Sequence, residues 1–353
     1  MAERRKLSSK NLLHFTTELF QLVGLEKNQA IVIATHLVEA NLRGVESHGL
    51  SRIPIYIKRM KEGYVDVKGR IEITHETLVS AVINGNNSPG ILVAEQAIEW
   101  TVEKAKASGI AMVGINHSNH CGMLASYAKY AVEQDCIAIL TSNASPSMAP
   151  WGGREPFFGT NPLCYGIPAG EEKDIILDMA TSVVAKGKIR IAEKSNQIIP
   201  NDWAITKDGK RTTDPTEALN GMVLPVGGPK GYGLVLLNDI LSGILPGANY
   251  GPYVSSMFEN KIQGVGHFFM VFRPDLFQPI GDFKKRVDQM IREVRQVQTM
   301  EGVERIYLPG EMEEEKKIRS LAEGIQLSES FIEELSQLGR ELGAKSQLEV
   351  VHN

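Results

Sequence analysis

This chain of 353 residues is bounded first by what it lacks. It has three cysteines, Cys121, Cys136 and Cys164, an odd number with no CxxC among them. A disulfide framework and a dithiol redox motif are therefore disfavoured, and a reducing compartment is the simpler setting. The N-terminal stretch MAERRKLSSKNLLHF has no long apolar core of the kind a secretory signal needs. No apolar run approaches the ~18 residues of a membrane helix. The expectation is a soluble, cytoplasmic protein without a membrane partner. The formal net charge is −4 and no dense Lys/Arg run exists, so no nucleic-acid partner is expected. Arg4, Arg5 and Lys6 read as a short solvated terminus. There is no G-x-G-x-x-G: neither GGPKGYG (227–233) nor GVGHFF (264–269) has that glycine spacing. A phosphate loop and an HExxH are missing too. His117 and His120 stand three apart, but no third ligand is evident, so no metal is expected.

What is present is a globular composition, 42% hydrophobic and 23% charged, without internal repeats. Apolar spacing predicts helices over Ser8–Gly24, Lys27–Gly44 and Leu50–Lys61, the last closed by Gly63. The middle alternates strands (81–83, 110–115, 137–141, 163–168, 175–180, 267–272) with helices (91–108, 122–134, 232–245). Asp208-Gly209 predicts a hairpin turn within 203–210. From 282 onward the chain reads as charged helix, with EMEEEKK (311–317) as a solvated face. Helices at both ends suggest one mainly helical domain from 1–80 and 275–353, set against an α/β domain over 81–274.

Four polar, glycine-rich segments interrupt this apolar background. In ESHGLSR, His48 and Arg52 are four apart and would share a helix face. An imidazole beside a guanidinium suits a hydroxy-carboxylate, because arginine binds carboxylates with a planar fork and histidine exchanges protons near neutral pH. A plain helix junction fits the pattern equally well. HSNHCG follows a strand, a common place for catalytic groups; His120 is a candidate there, while His117 reads as loop. Gly159-Thr160-Asn161-Pro162 is turn-rich. Pro229-Lys230-Gly231 opens an apolar helix and is either an anion site or a simple helix entry. Asp178, at a strand end, either accepts ribose hydroxyls or caps the next segment.

Taken together and in order, ESHGLSR, NHCGM, WGG…FGTNPL, LDMATS, AKGKI, GPKGYGL and YLPGE resemble the type 2 malate/L-lactate dehydrogenase family. IPNDWAITKDGKRTTDPTEAL and LPVGGPKGYGL…LSGILPG…YGPYVSSMFEN are similar to its ureidoglycolate-oxidising branch. The resemblance implies a non-Rossmann NAD-binding α/β fold with a largely antiparallel central sheet, and a homodimer with its site between the domains. It implies His48 and His120 as acid/base groups, Ser47 as orienting hydroxyl, and Arg52 as carboxylate clamp. Tyr56 would line the pocket and Thr160 would lie near substrate. Ser145, Asp178, Met179, Ala180, Lys230, Pro309, Gly310 and Glu311 match cofactor-binding positions. The implied cofactor is NAD, with NADP the alternative; no arginine can be placed beside Asp178 for a 2′-phosphate. The implied reaction is oxidation of ureidoglycolate to oxalurate, with malate, lactate or sulfolactate as alternative substrates. A non-catalytic nucleotide-binding protein is the reading from another class. His120 is expected to act as base, and His48 as a polarising hydrogen-bond donor. By the same resemblance, some imine-reducing relatives carry an aspartate where Lys188 stands here.

Overall fold

The computed structural model describes residues 4–351. The chain begins with β1 (Arg4–Leu7), α1 (Ser9–Leu22) and α2 (Lys27–Leu42). The Ser8 hydroxyl caps α1 by accepting from the Asn11 N–H, and Leu12, Phe15 and Leu19 supply its buried stripe. Two 3-10 turns, Glu46–His48 and Leu50–Arg52, lead into α3 (Ile53–Lys61). The sheet region follows as β2 (Glu72–Glu76), β3 (Ser80–Asn84), α4 (Gly90–Ser108), β4 (Ile110–Ser118), α5 (Ala125–Val132), β5 (Ile137–Ser142), β6 (Leu163–Ile167) and β7 (Ile175–Met179). Next come α6 (Lys186–Lys194), β8 (Ala204–Ile205), α7 (Pro215–Asn220), β9 (Met222–Val223) and α8 (Pro229–Asp239), which runs into a π-helical turn at Ile240–Ile244. The last elements are β10 (Val265–Phe272), α9 (Ile280–Gln296), α10 (Glu311–Glu323), β11 (Ile325–Ser328) and α11 (Glu329–Leu342).

Seven strands form one sheet in the order β2-β3-β4-β10-β5-β6-β7. The pair β3–β4 is parallel and the other neighbours are antiparallel. The sheet is therefore mixed, which corrects the expectation of a largely antiparallel one. The cause is α4: a parallel pair needs a crossover connection, and this helix supplies it. α4 and α5 bury Val93, Ile98, Tyr127 and Ala128 against Val113, Leu140 and Phe269 of the sheet. The π turn lies against β10, where a Cβ on Gly266 would stand 1.9 Å from the Ser242 carbonyl oxygen. A second core joins α1, α2, α3 and the chain's end, with Leu12, Phe15, Ile33, Leu37, Ile57, Ile325 and Leu335. α9 packs Val287 and Ile291 on Ala169 and Ile175 of the sheet region.

Several local readings change. Arg4, Arg5 and Lys6 form a strand paired with β11, and they contact Glu46, Glu329 and Glu323. The charged tail contains β11, whose strand partner lies more than 300 residues away. Residues 50–61 are helical as expected, with a first 3-10 turn, Leu50–Arg52, that runs directly into α3, while Gly49 parts this helix from the turn at Glu46–His48. The turn at 206–210 forms, with Thr206 N–H donating to the Lys210 carbonyl, but β8 pairs with β9. On α10, Glu311 is buried and Glu314 accepts from Arg43, so that face is only partly solvated.

Candidate active site

The site starts from two chain segments that distant elements bring together. The 3-10 turns carry Ser47, His48 and Arg52; the loop between β4 and α5 carries His120. The rings of His48 and His120 stack with centroids 5.3 Å apart. Tyr56, buried on α3, places its hydroxyl 2.5 Å from His120 Nδ1. The Gly122 N–H also donates to that nitrogen, at 3.2 Å. Ser47 Oγ lies 2.9 Å from His48 Nδ1. The expected helix face shared by His48 and Arg52 does not exist, since Gly49 breaks it. They still face one cleft, and the Arg52 charge acts on His48.

A loop preceding β10 closes the cleft. Arg59 donates to the carbonyls of Met257, Glu259 and Lys261, and so pins that loop. The loop then presents Met257 Sδ to Arg52 Nη1 and Gln263 Oε1 to the His120 N–H. Arg52 Nε donates to the Ser47 carbonyl at 2.6 Å. Among the described residues no carboxylate pairs with Arg52. A half-buried guanidinium with only a carbonyl and a thioether for company is under-satisfied, and an incoming carboxylate would complete it.

Burial and the cationic neighbourhood keep the imidazoles neutral. His120 is held well below the usual histidine value, first by burial, then by Arg52 and His48. Burial and Arg52 hold His48 at about 4. Burial pushes the Tyr56 phenol up, so it stays protonated. The Gly122 N–H can only donate, so Nδ1 of neutral His120 is the acceptor and the ring proton sits on Nε2. Tyr56 then donates to the same Nδ1.

The remaining expected positions make contacts of their own. Thr160 accepts at its carbonyl from the Thr181 N–H and hydroxyl. Asn161 beside it accepts from the Ala144 N–H, which sets the backbone before Ser145. Asp178 accepts from the Ala125 N–H at 2.8 Å, at the start of α5, a helix earlier in the chain and not the segment that follows Asp178. Met179 ends β7 and Ala180 follows it. Pro309 joins the opposite end of β7, its carbonyl accepting from the Ile176 N–H. Gly310 is left-handed at φ +91, and a Cβ there would meet the Ile176 carbonyl oxygen at 2.9 Å. Glu311 accepts from the Leu308 N–H and pairs with Arg295. Lys230 is exposed near the start of α8, after the left-handed pair Gly227–Gly228, with no acidic partner among the described residues. No hydrogen bond or ring contact among the described residues links Lys230 or Ser145 to the histidine cluster. His117, read as loop, is exposed and bonds Asn116.

Sequence reasoning missed three groups. His36, on α2, is buried and accepts from the Met123 N–H. His267, inside the apolar run HFFMVF, bridges Ser118 of β4 and Ser142 of β5 at 2.9 Å each. Arg190 of α6 adds a second positive charge that bears on Arg52. A polar side chain at a core position of each apolar period was the signal for both histidines. Among the described residues, no three acidic, histidine or cysteine side chains are placed to hold a metal, and no helix is long and apolar enough to cross a membrane.

Comparison with known proteins bears on the chain as a whole. A family model described as malate/L-lactate dehydrogenase matches residues 7–336. A malate/(S)-sulfolactate dehydrogenase of Methanothermus fervidus is 36% identical, over 92% of this chain and 94% of its own. The ureidoglycolate dehydrogenase (NAD(+)) of Escherichia coli K12 is 32% identical, over 94% and 95%. The solved sulfolactate dehydrogenase of Methanocaldococcus jannaschii superposes with a TM-score of 0.92 at 36% identity, over 96% of this chain and 98% of that one.

Proposed function

Because this chain belongs to the malate/L-lactate dehydrogenase family, we propose that it interconverts a small 2-hydroxy acid and its 2-keto acid with a nicotinamide dinucleotide. The observation that carries this is the unpaired Arg52 guanidinium facing the cleft of His48, Tyr56 and His120. Arg52 holds the substrate carboxylate. The substrate hydroxyl gives its proton to Tyr56 Oη as Tyr56 passes its own to His120 Nδ1, the nitrogen that bears the lone pair. His48, oriented by Ser47, donates a hydrogen bond to the substrate oxygen. Thr160 borders the substrate. The residues fit the dinucleotide: Lys230, without an acidic partner behind two left-handed glycines, suits its phosphates. The Gly310 turn leaves no room for a side chain, and with Ser145, Asp178, Met179, Ala180, Pro309 and Glu311 would hold the rest. When bound, the nicotinamide accepts or returns the hydride. NAD is the preferred form, in a site that does not use the Rossmann phosphate turn. In a two-lobed division, 1–80 with 275–353 against 81–274, this cleft would lie at the lobe boundary, with β2 and α9 crossing over to pack with the sheet. The exposed apolar row Leu234, Leu237, Ile240, Ile244 and Leu245 on α8 and its π turn supports a homodimer. A cytoplasmic location completes the reading.

Two substrate readings follow. Resemblance favours ureidoglycolate, whose side group is neutral. Arg190 favours malate or sulfolactate: burial lowers the Arg52 pKa, and the Arg190 charge lowers it further, so the cleft carries a second cation. A second acidic group on the substrate would compensate it. Turnover of ureidoglycolate, malate, sulfolactate and lactate with NAD and with NADP tests both. Turnover of none of them would overturn the proposed function.

A further inference from the structure

Beneath His120 lies a second histidine that this chemistry does not use. His36 sits in the middle of α2, on a buried face otherwise made of Ile33, Leu37 and Ala40. An imidazole there costs free energy unless it is hydrogen-bonded, and an aliphatic side chain would fill the space without that cost. Its Nε2 accepts from the Met123 N–H at 3.1 Å. A Cβ on Gly122 would stand 2.2 Å from the same nitrogen, so the ring lies directly under that residue. The ring also packs on Tyr127, centroids 5.2 Å apart. The Tyr127 hydroxyl donates to the Cys121 carbonyl at 2.6 Å. That carbonyl and the Gly122 N–H belong to one planar peptide unit. Tyr127 thus holds one end of the unit, and the other end donates to His120 Nδ1. His36 holds the next peptide through Met123.

We propose that His36 is a positioning residue for His120: with Tyr127 it orients the Cys121–Gly122–Met123 backbone so that the Gly122 N–H keeps the His120 lone pair on Nδ1. This deepens the proposed function and rests on its reading of His120 as proton acceptor. Without the two anchors the peptide rotates, the Gly122 N–H leaves Nδ1, and the ring is free to carry its proton there. Tyr56 could then no longer deliver a proton to it. Burial, and then the neighbouring His48, hold His36 at about 3, so its own acceptor nitrogen stays unprotonated near neutral pH.

The test is nitrogen NMR on the full chain with 15N-labelled histidine, eight residues in all. His120 is assigned by the signals lost in His120→Gln. At pH 7.5 the wild type should show an unprotonated Nδ1 and a protonated Nε2. His36→Leu should move the Nδ1 signal at least halfway towards the protonated type. It should lower kcat roughly 10- to 100-fold with the cofactor KM unchanged. His36→Gln offers an acceptor to the Met123 N–H and should keep both near wild type. An unmoved Nδ1 signal in His36→Leu, or equal displacement in the two variants, would overturn the proposal and leave His36 as packing alone. If His36→Leu does not fold, Tyr127→Phe removes the second anchor at nearly constant volume. It should displace the same signal, and an unmoved signal there also overturns the proposal. The nitrogen signal is read without turnover, so it reports on the His36 anchor even if the substrate or the reaction is another one.

Discussion

Two polar regions of the molecule handle charge in opposite ways. On the α9 side, Arg292 contacts Glu171 and Glu172 at 2.8 and 2.9 Å, and Arg295 joins Glu172 to Glu311. Asp288 accepts from three successive N–H groups, Gly170 to Glu172. In the cleft the pattern reverses. Arg52 has no carboxylate partner among the described residues, and the imidazoles around it are neutral. Paired charges close a structure on itself, whereas an unpaired cation among neutral acceptors leaves a place for an anion that arrives from outside. Charge pairing therefore separates scaffold from site here better than polarity does.

The strongest way to break this comparison is at His120 and Tyr56. His120→Ala should lower kcat about 10²- to 10⁴-fold, and Tyr56→Phe should fall in the same range if the proton passes through its hydroxyl. Steady-state kinetics at saturating cofactor decides: a mild Tyr56→Phe would mean that His120 meets the substrate oxygen directly. Because His120 titrates well below the usual histidine value, the low-pH limb of kcat/KM for oxidation should lie below about pH 6.5. It should vanish in His120→Ala.

Arg52→Lys keeps the charge and loses the fork. A charged hydrogen bond is worth about 1.5–3 kcal/mol, so kcat/KM should drop roughly 10- to 100-fold with cofactor affinity unchanged. Wild-type kinetics would place the substrate carboxylate elsewhere.

The buried histidines give a smaller, global effect. His36 and His267 are held at about 3 by burial, against about 6.5 when unfolded. Between those values the unfolded chain binds more protons, so stability is full above pH 6.5 and falls as pH drops towards 3. The wild-type Tm should decline over pH 6.5 to 4. His267→Gln should decline less steeply over the same interval, and parallel curves would mean that His267 contributes nothing to the decline. Smallest of all is Arg292→Ala on the paired side, where Arg292 is itself half-exposed and Glu171 is largely solvated. Its Tm should stay within about 2 °C of wild type, with kinetics unchanged. Lost activity there would erase the distinction between the two regions.

What could be read in advance follows the same division. Helices with a clean apolar period and an end signal, such as α1 behind Ser8 and α3 before Gly63, were legible because local chemistry sets them. Polar residues that interrupt glycine-rich loops were legible too, and His48, Arg52, Tyr56 and His120 do share one cleft. Long-range pairing was not: β1 pairs with β11 from the far end of the chain, and β10 enters the sheet between strands made much earlier. His36 and His267 were hidden because each stands at a core position of an apolar run, where the period is read and the odd residue ignored. The helix expected to join His48 to Arg52 failed at Gly49, whose Cβ would collide with the Asn41 side chain at 2.0 Å.

The place of β10 also bears on how the protein is born. During synthesis β4 and β5 leave the ribosome well before Val265, and each carries an unpaired edge until β10 fills the gap between them. Contacts between residues so far apart in sequence form slowly, and open edges invite pairing with other chains in the meantime. The strand that closes the gap also carries His267, which fastens the end of β4 next to the His120 loop. A nascent or truncated chain ending before β10 should thus be both the most aggregation-prone form of this protein and a catalytically silent one.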